Sequence, residues 1–200
     1  MTDNSAFDDL FAGAPLMAIL RGLGAERSLT VATAAWDLGI EIVELPVQTP
    51  TDVEALRVVA DAGRERGLHV GAGTVVAPEH VRQAKDAGAA FTVSPGFDAD
   101  IVRASHAAGM PSLPGVATPT EVQLALGEGL TWLKAFPASL LGTGWFGAIR
   151  GPFPQAKFVA TGGMDASTAS AFLAAGVRVV AVGSALEDPE QLPALAALLR

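Results

Sequence analysis

Residues 169–182 read Ala-Ser-Ala-Phe-Leu-Ala-Ala-Gly-Val-Arg-Val-Val-Ala-Val. An Ala-rich stretch of helical character stops at Gly176, and an apolar run of strand character follows. Glycine ends helices at least cost because, without a Cβ, it enters the left-handed region freely. The phrase recurs, with helix-ending glycines expected at Gly39, Gly67, Gly88, Gly109, Gly129, Gly151 and Gly176, spaced 20 to 28 residues apart. After them come the short runs Glu41 to Leu45, Leu68 to Ala72, Ala90 to Ser94, Pro111 to Leu113, Thr131 to Phe136, Lys157 to Ala160 and Val177 to Val182. An opening run, Leu16 to Leu20, precedes them all. That makes eight strands alternating with helices.

Several helices also carry start signals. Thr49-Pro50-Thr51-Asp52, Thr118-Pro119-Thr120-Glu121 and Asp165-Ala166-Ser167 each offer a capping oxygen, and the first two place proline in the first turn. Alternation at this period makes parallel βα units. Eight such units in 200 residues predict an α/β fold, a small (β/α)8 TIM barrel, as a single domain over residues 1–200. A doubly wound open sheet is the alternative. It would place a Gly-rich turn after its first strand, and Arg21-Gly22-Leu23-Gly24 lacks the full dinucleotide fingerprint. Phe7, Leu10 and Phe11 have helical spacing, which predicts a short N-terminal packing helix.

Hydrophobic residues make up 50% of the chain and charged ones 17%. That balance implies a large core, or outer surface covered by other subunits. The net charge of −8 argues against nucleic acid as a partner, which would need a basic face. It does not argue against an anionic substrate, because a few backbone N–H groups can hold a phosphate. The chain has no cysteine, which removes disulfides, thiolate nucleophiles and thiolate metal sites; a cytoplasmic location fits. The N-terminal segment carries Asp3, Asp8 and Asp9 without a basic residue, unlike a signal peptide. No apolar run reaches transmembrane length, so no membrane partner is expected.

In a barrel of this kind the active site lies at the C-terminal ends of the strands. Read in order, those ends are Arg21, Glu44, Thr74, Ser94-Pro95, Pro114-Gly115, Lys134, Thr161-Gly162-Gly163 and Gly183-Ser184. Lys134 stands out. It lies in the apolar run Leu130-Thr131-Trp132-Leu133-Lys134-Ala135-Phe136-Pro137 and is one of only three lysines. Burial disfavours the ammonium, and a neutral amine attacks ketones to form Schiff bases. A strand-end lysine whose tip reaches water is the alternative. Glu44, among Ile42, Val43, Leu45 and Pro46, would have a raised pKa suited to proton transfer, or it would merely neutralise Lys134 or Arg21. Lys85 sits in a polar helical segment, and Lys157 begins its strand on the opposite, stability face. The two Gly-containing turns, Gly162-Gly163 and Gly183-Ser184, follow strands seven and eight, where barrels often bind phosphate. His69, His80 and His106 lack ligand spacing, so no metal is expected. Trp36, Trp132 and Trp145 read as packing residues.

The same segments, with Gly71-Ala72-Gly73-Thr74, Val93-Ser94-Pro95-Gly96, Leu113-Pro114-Gly115-Val116 and Gly151-Pro152-Phe153-Pro154, resemble the 2-keto-3-deoxy-6-phosphogluconate aldolase family over nearly the whole chain. These are class I Schiff-base aldolases on (β/α)8 barrels that use no cofactor. The resemblance implies that Lys134 forms the Schiff base with the 2-keto carbon and that Glu44 moves protons through water. It implies that Thr74, Pro95, Phe136 and Thr161 line the substrate, with Thr74 at its pyruvate portion and Thr161 at its hydroxyls. Gly162, Gly163, Gly183 and Ser184 would hold the 6-phosphate. The products would be pyruvate and glyceraldehyde 3-phosphate, and the assembly a homotrimer.

The chain departs from the family pattern at Gln48, where some members carry an arginine clamp for the substrate carboxylate. Others keep that arginine at the end of the first strand, which assigns the clamp here to Arg21. The last helix is expected to be shorter than is usual. The phosphogalactonate and 4-hydroxy-2-oxoglutarate aldolase branches stay open as alternatives. So do a barrel sugar-phosphate epimerase or isomerase, which needs no imine, and a phosphate-binding barrel without catalysis.

Overall fold

In the computed structural model, residues 4–199 are described; Asp3 of the acidic N-terminal segment lies outside them. Nine parallel strands form one sheet: β1 (Leu16–Ile19), β2 (Ile42–Pro46), β3 (Val70–Gly73), β4 (Phe91–Val93), β5 (Ser112–Leu113), β6 (Gly115–Val116), β7 (Trp132–Ala135), β8 (Lys157–Thr161) and β9 (Val179–Val182). Their order is β5-β4-β3-β2-β1-β9-β8-β7-β6. The two ends of that order, β5 and β6, are consecutive in the chain and separated only by Pro114. The sheet is therefore a (β/α)8 barrel whose fifth stave changes partner partway, from β4 to β7. Proline lacks the N–H that an unbroken ladder would use there. Its carbonyl still accepts the Lys134 N–H at 2.9 Å.

The helices are α1 (Ala6–Leu10), α2 (Gly24–Leu38), α3 (Pro50–Glu65), α4 (Pro78–Asp86), α5 (Ala99–Ala107), α6 (Pro119–Gly127), α7 (Ala138–Leu141), α8 (Thr143–Arg150), α9 (Ala166–Ala174) and α10 (Leu192–Ala197). All three expected start signals are capping boxes, pairing Thr49 with Asp52, Thr118 with Glu121 and Asp165 with Thr168. Six of the seven phrase glycines adopt positive φ, from +72° at Gly67 to +101° at Gly39. Gly151 does not. Its φ is −56°, and the β7–β8 connection is broken instead into α7 and α8 around Gly142 at φ +71°.

Alternate strand residues divide into two cores. Leu16, Val43, Leu45, Leu133 and Val180 face the helices. Met17, Ile42, Phe91, Leu113, Trp132 and Val179 fill the barrel. The predicted N-terminal helix is α1, and it closes the barrel's N-terminal end. Phe7 is fully buried, stacks on Phe11 and meets the Phe91 ring edge-on. Buried Asn4 precedes it. Its amide donates to the carbonyls of Ser112 and Trp132 and accepts from the N–H groups of Thr131 and Trp132. One side chain thus spans the gap between β5 and β7 that the partner change leaves. No helix among the described residues is long and apolar enough to cross a membrane.

Candidate active site

Inward positions advance by two along each strand. On β7, Trp132 lies in the barrel core, Lys134 stands one layer higher and Phe136 follows just beyond the strand. On the other strands Glu44 follows Ile42, Thr161 follows Val159, and Arg21 follows Ile19. One cleft at the C-terminal end collects Arg21, Glu44, Lys134, Phe136, Thr161, Gly162, Gly163, Gly183 and Ser184. Thr74 and Pro95 sit on the same face, after β3 and β4, but do not line that cleft. Thr74 reaches it through Arg21, and the Pro95 carbonyl closely approaches Gly115, where a Cβ would overlap it.

Lys134 is 4% exposed. Burial is the main cause that holds its pKa below that of an ordinary lysine; the Arg21 charge pushes the same way, while the Glu44 charge opposes both. Its ammonium forms no ion pair with a carboxylate among the described residues and lies 5.0 Å from the centre of the Phe136 ring. Glu44 is 1% exposed, and its Oε2 has no hydrogen-bond partner. Thr161 Oγ1, also buried, has none either. Unpaired buried polar atoms are rare in native folds because each loses its water without replacement. Two of them beside a buried lysine leave the cleft ready to receive polar groups of a ligand or water.

Arg21 is exposed and held on two sides. It donates to Gln48 Oε1 at 3.3 Å and to Thr74 Oγ1 at 3.2 Å. Thr74 has φ +58°, a left-handed conformation that β-branched residues rarely adopt. Gln48, the departure from the family pattern, is thus a hydrogen-bond partner of Arg21.

At the other end of the cleft, Gly162 and Gly163 both have positive φ, +98° and +71°. They approach neighbours closely. A Cβ on Gly162 would lie 3.1 Å from the Phe136 ring, and one on Gly163 would lie 2.8 Å from Ser139 Cβ. Asp165 caps the N-terminus of α9 just beyond, accepting from Thr168 N at 2.8 Å, and hydrogen bonds from Ser167 and Thr168 hold its carboxyl below the ordinary range. Gly183-Ser184 opens a short 3-10 turn, Ser184–Glu187. Its last residue, Glu187, also lines the cleft and is paired with Arg27 of α2 at 2.6 Å, which offsets an anion near the glycine turns. Sequence reasoning missed Glu187 because its position depends on that turn.

Lys157 lies at the opposite end, bound to Asp8 of α1, and Lys85 is exposed on α4. No group of three His, Cys, Asp or Glu side chains among the described residues could hold a metal ion. The Trp132 and Trp145 indoles donate to Asp8 and to the Ala117 carbonyl, as packing residues.

Comparison with known proteins matches residues 7–196 to the family described as KDPG and KHG aldolase. A probable 2-dehydro-3-deoxy-6-phosphogalactonate aldolase of Rhizobium meliloti (strain 1021) is 35% identical over 176 residues, 88% of this chain and 82% of its own. A 2-dehydro-3-deoxy-phosphogluconate aldolase of Treponema pallidum (strain Nichols) is 35% identical over 167 residues, 83% of this chain and 78% of its own. The crystal structure of the 2-keto-3-deoxy-6-phosphogluconate aldolase of Zymomonas mobilis ZM4 with 3-phosphoglycerate superposes with a TM-score of 0.84 at 30% identity, covering 98% of this chain and 95% of that one.

Proposed function

Since the chain belongs to the KDPG and KHG aldolase family and is an aldolase, a carbon–carbon lyase, we propose that it cleaves 2-keto-3-deoxy-6-phosphogluconate through a Schiff base on Lys134. The observation that carries this reading is a buried lysine, its pKa lowered by burial, in one cleft with a carboxylate that has an unpaired oxygen. The neutral Lys134 amine adds to the C2 carbonyl, and loss of water gives an iminium. Glu44, through water, takes the proton of the C4 hydroxyl. The C3–C4 pair then flows into the iminium, which releases glyceraldehyde 3-phosphate and leaves an enamine. Protonation at C3 and hydrolysis return pyruvate and the free amine. Because the iminium is the electron sink, the cycle calls for no metal or other cofactor.

Arg21, oriented by Gln48, pairs with the substrate carboxylate, with Thr74 beside it. Phe136 shapes the pyruvate end, and Pro95 backs it through its carbonyl against Gly115. Gly162, Gly163, Gly183 and Ser184 take the phosphate. Thr161 offers its unpartnered hydroxyl to the substrate's C4 hydroxyl, which favours the gluconate-derived substrate over its C4 epimer. The galactonate-derived epimer is the second reading, favoured by the likeness to the Rhizobium meliloti protein. A homotrimer in the cytoplasm completes the proposal.

The test is to incubate the protein with pyruvate and borohydride and then weigh it. One irreversible adduct is expected. It should vanish in Lys134→Ala and persist in Lys85→Ala and Lys157→Ala. An adduct surviving in Lys134→Ala overturns the assignment. Cleavage rates on the two epimers decide the substrate, and faster turnover of the galactonate epimer selects the second reading.

A further inference from the structure

Strand β3 brings no side chain into the barrel. Its inward positions are Gly71 and Gly73, and each is a glycine for a different reason. A Cβ on Gly71 would overlap the Phe91 ring, reaching Cδ2 at 2.6 Å. A Cβ on Gly73 would overlap Glu44 Oε1 and lie 2.7 Å from its Cδ and 2.9 Å from its Cγ. Neither φ is positive, so the constraint is space and not backbone conformation. The Glu44 carboxylate therefore lies directly over the Gly73 backbone. Apart from the attraction of the Lys134 charge, contact alone places it, because Oε2 has no partner and no hydrogen bond or ion pair to this side chain is formed among the described residues. The register pairs Glu44 with Gly71 and Pro46 with Gly73, so the Glu44 side chain leans one inward position towards the C-terminal end to reach Gly73.

We propose that Gly73 is a positioning residue: its missing side chain fixes where the Glu44 carboxylate stands relative to Lys134. The inference rests on Glu44 being the proton carrier. A carboxylate without directional partners is placed by the walls around it, and the empty side of Gly73 is the wall on which it rests. A methyl group there displaces the flexible end of Glu44 rather than the barrel, so the fold survives while the carboxylate moves. A misplacement of about 1 Å in a reacting group can lower turnover roughly 100-fold.

The experiment measures cleavage rate, deuterium exchange at C3 of pyruvate in heavy water, and thermal unfolding. The variants are Gly73→Ala, Gly71→Ala, Glu44→Gln, Glu44→Ala and Gly73→Ala/Glu44→Ala. Gly73→Ala is expected to lower cleavage and C3 exchange about 10- to 100-fold with little change in KM, while Gly71→Ala chiefly lowers the melting temperature. In the Glu44→Ala background the methyl group at position 73 has nothing to displace, so Gly73→Ala should add no further loss. Equal losses with and without the Glu44 side chain, or a Gly73→Ala enzyme within about threefold of wild type, overturn the proposal. If Gly73→Ala does not fold, Gly73→Ala/Glu44→Ala must fold, and its failure also overturns it. The reading of Glu44 itself fails separately, through Glu44→Gln with normal turnover.

Discussion

At the scale of single residues, the proposed chemistry rests on the three charges of Lys134, Glu44 and Arg21, of which the first two are buried. Lys134 titrates below 10.5 chiefly because burial disfavours its ammonium. In the proposed mechanism the amine form is the nucleophile, so adduct formation at saturating pyruvate should rise with pH through that lowered pKa. The neighbours act in opposite senses. Glu44→Gln removes the charge that stabilises the ammonium and should move the midpoint down. Arg21→Gln removes the charge that destabilises it and should move the midpoint up. Rates of borohydride trapping across pH measure both shifts, and identical midpoints in all three proteins would refute the coupling. Lys134 and Glu44 were legible in the sequence because a charged residue inside an apolar strand run has few explanations. The place of Gly73 is not legible there, because it depends on which neighbour leans over it, and strand alternation alone does not give the lean of the Glu44 side chain.

At the scale of elements, helix starts and stops were the clearest part of the sequence, since caps and left-handed glycines are local chemistry. The divided fifth stave was half visible. Pro114 marks a strand end in the sequence, but the pairing of Gly115–Val116 with β7 is not visible there, because it joins segments distant in sequence. Asn4 was not legible at all. Its four hydrogen bonds reach residues 108 to 128 positions away. Asn4→Ala should leave the backbone groups of Ser112, Thr131 and Trp132 unpaired, at about 1–3 kcal/mol for each group that water cannot reach. The melting temperature should fall by roughly 2–4 °C for each kcal/mol, while pyruvate trapping at 25 °C stays normal. A lost adduct at full folding would show that Asn4 reaches the chemistry. The docking of α1 should also be acid-sensitive. Lys157 and Trp132 hydrogen bonds lower the Asp8 pKa from 3.8. That contribution is present above 3.8 and is lost as pH falls through the lowered value.

At the scale of the whole molecule, the two ends of one barrel carry opposite free-energy terms. The N-terminal end is packed and paired by Phe7, Phe11, Asn4 and the Asp8–Lys157 contact. The C-terminal end holds a desolvated ammonium, a buried carboxylate with an idle oxygen and an idle hydroxyl. Every one of these would be better hydrated in the unfolded chain. A lysine with a lowered folded pKa destabilises the fold at neutral pH, and the penalty fades as pH rises through that pKa towards 10.5. The site should therefore be a net loss of stability that the rest of the barrel offsets. Removing one charge does not reveal this, because Lys134→Met leaves Glu44 buried and uncompensated and should lower the melting temperature. Removing both does. Lys134→Met/Glu44→Gln should melt higher than wild type, by about 2–4 °C for each of the roughly 1–4 kcal/mol that neutral replacement of buried opposite charges can return. Thermal unfolding at pH 7 of the wild type, the single and the double variant decides it. A double variant less stable than the single would mean that the charges hold the barrel mouth together, and that the site costs the fold nothing.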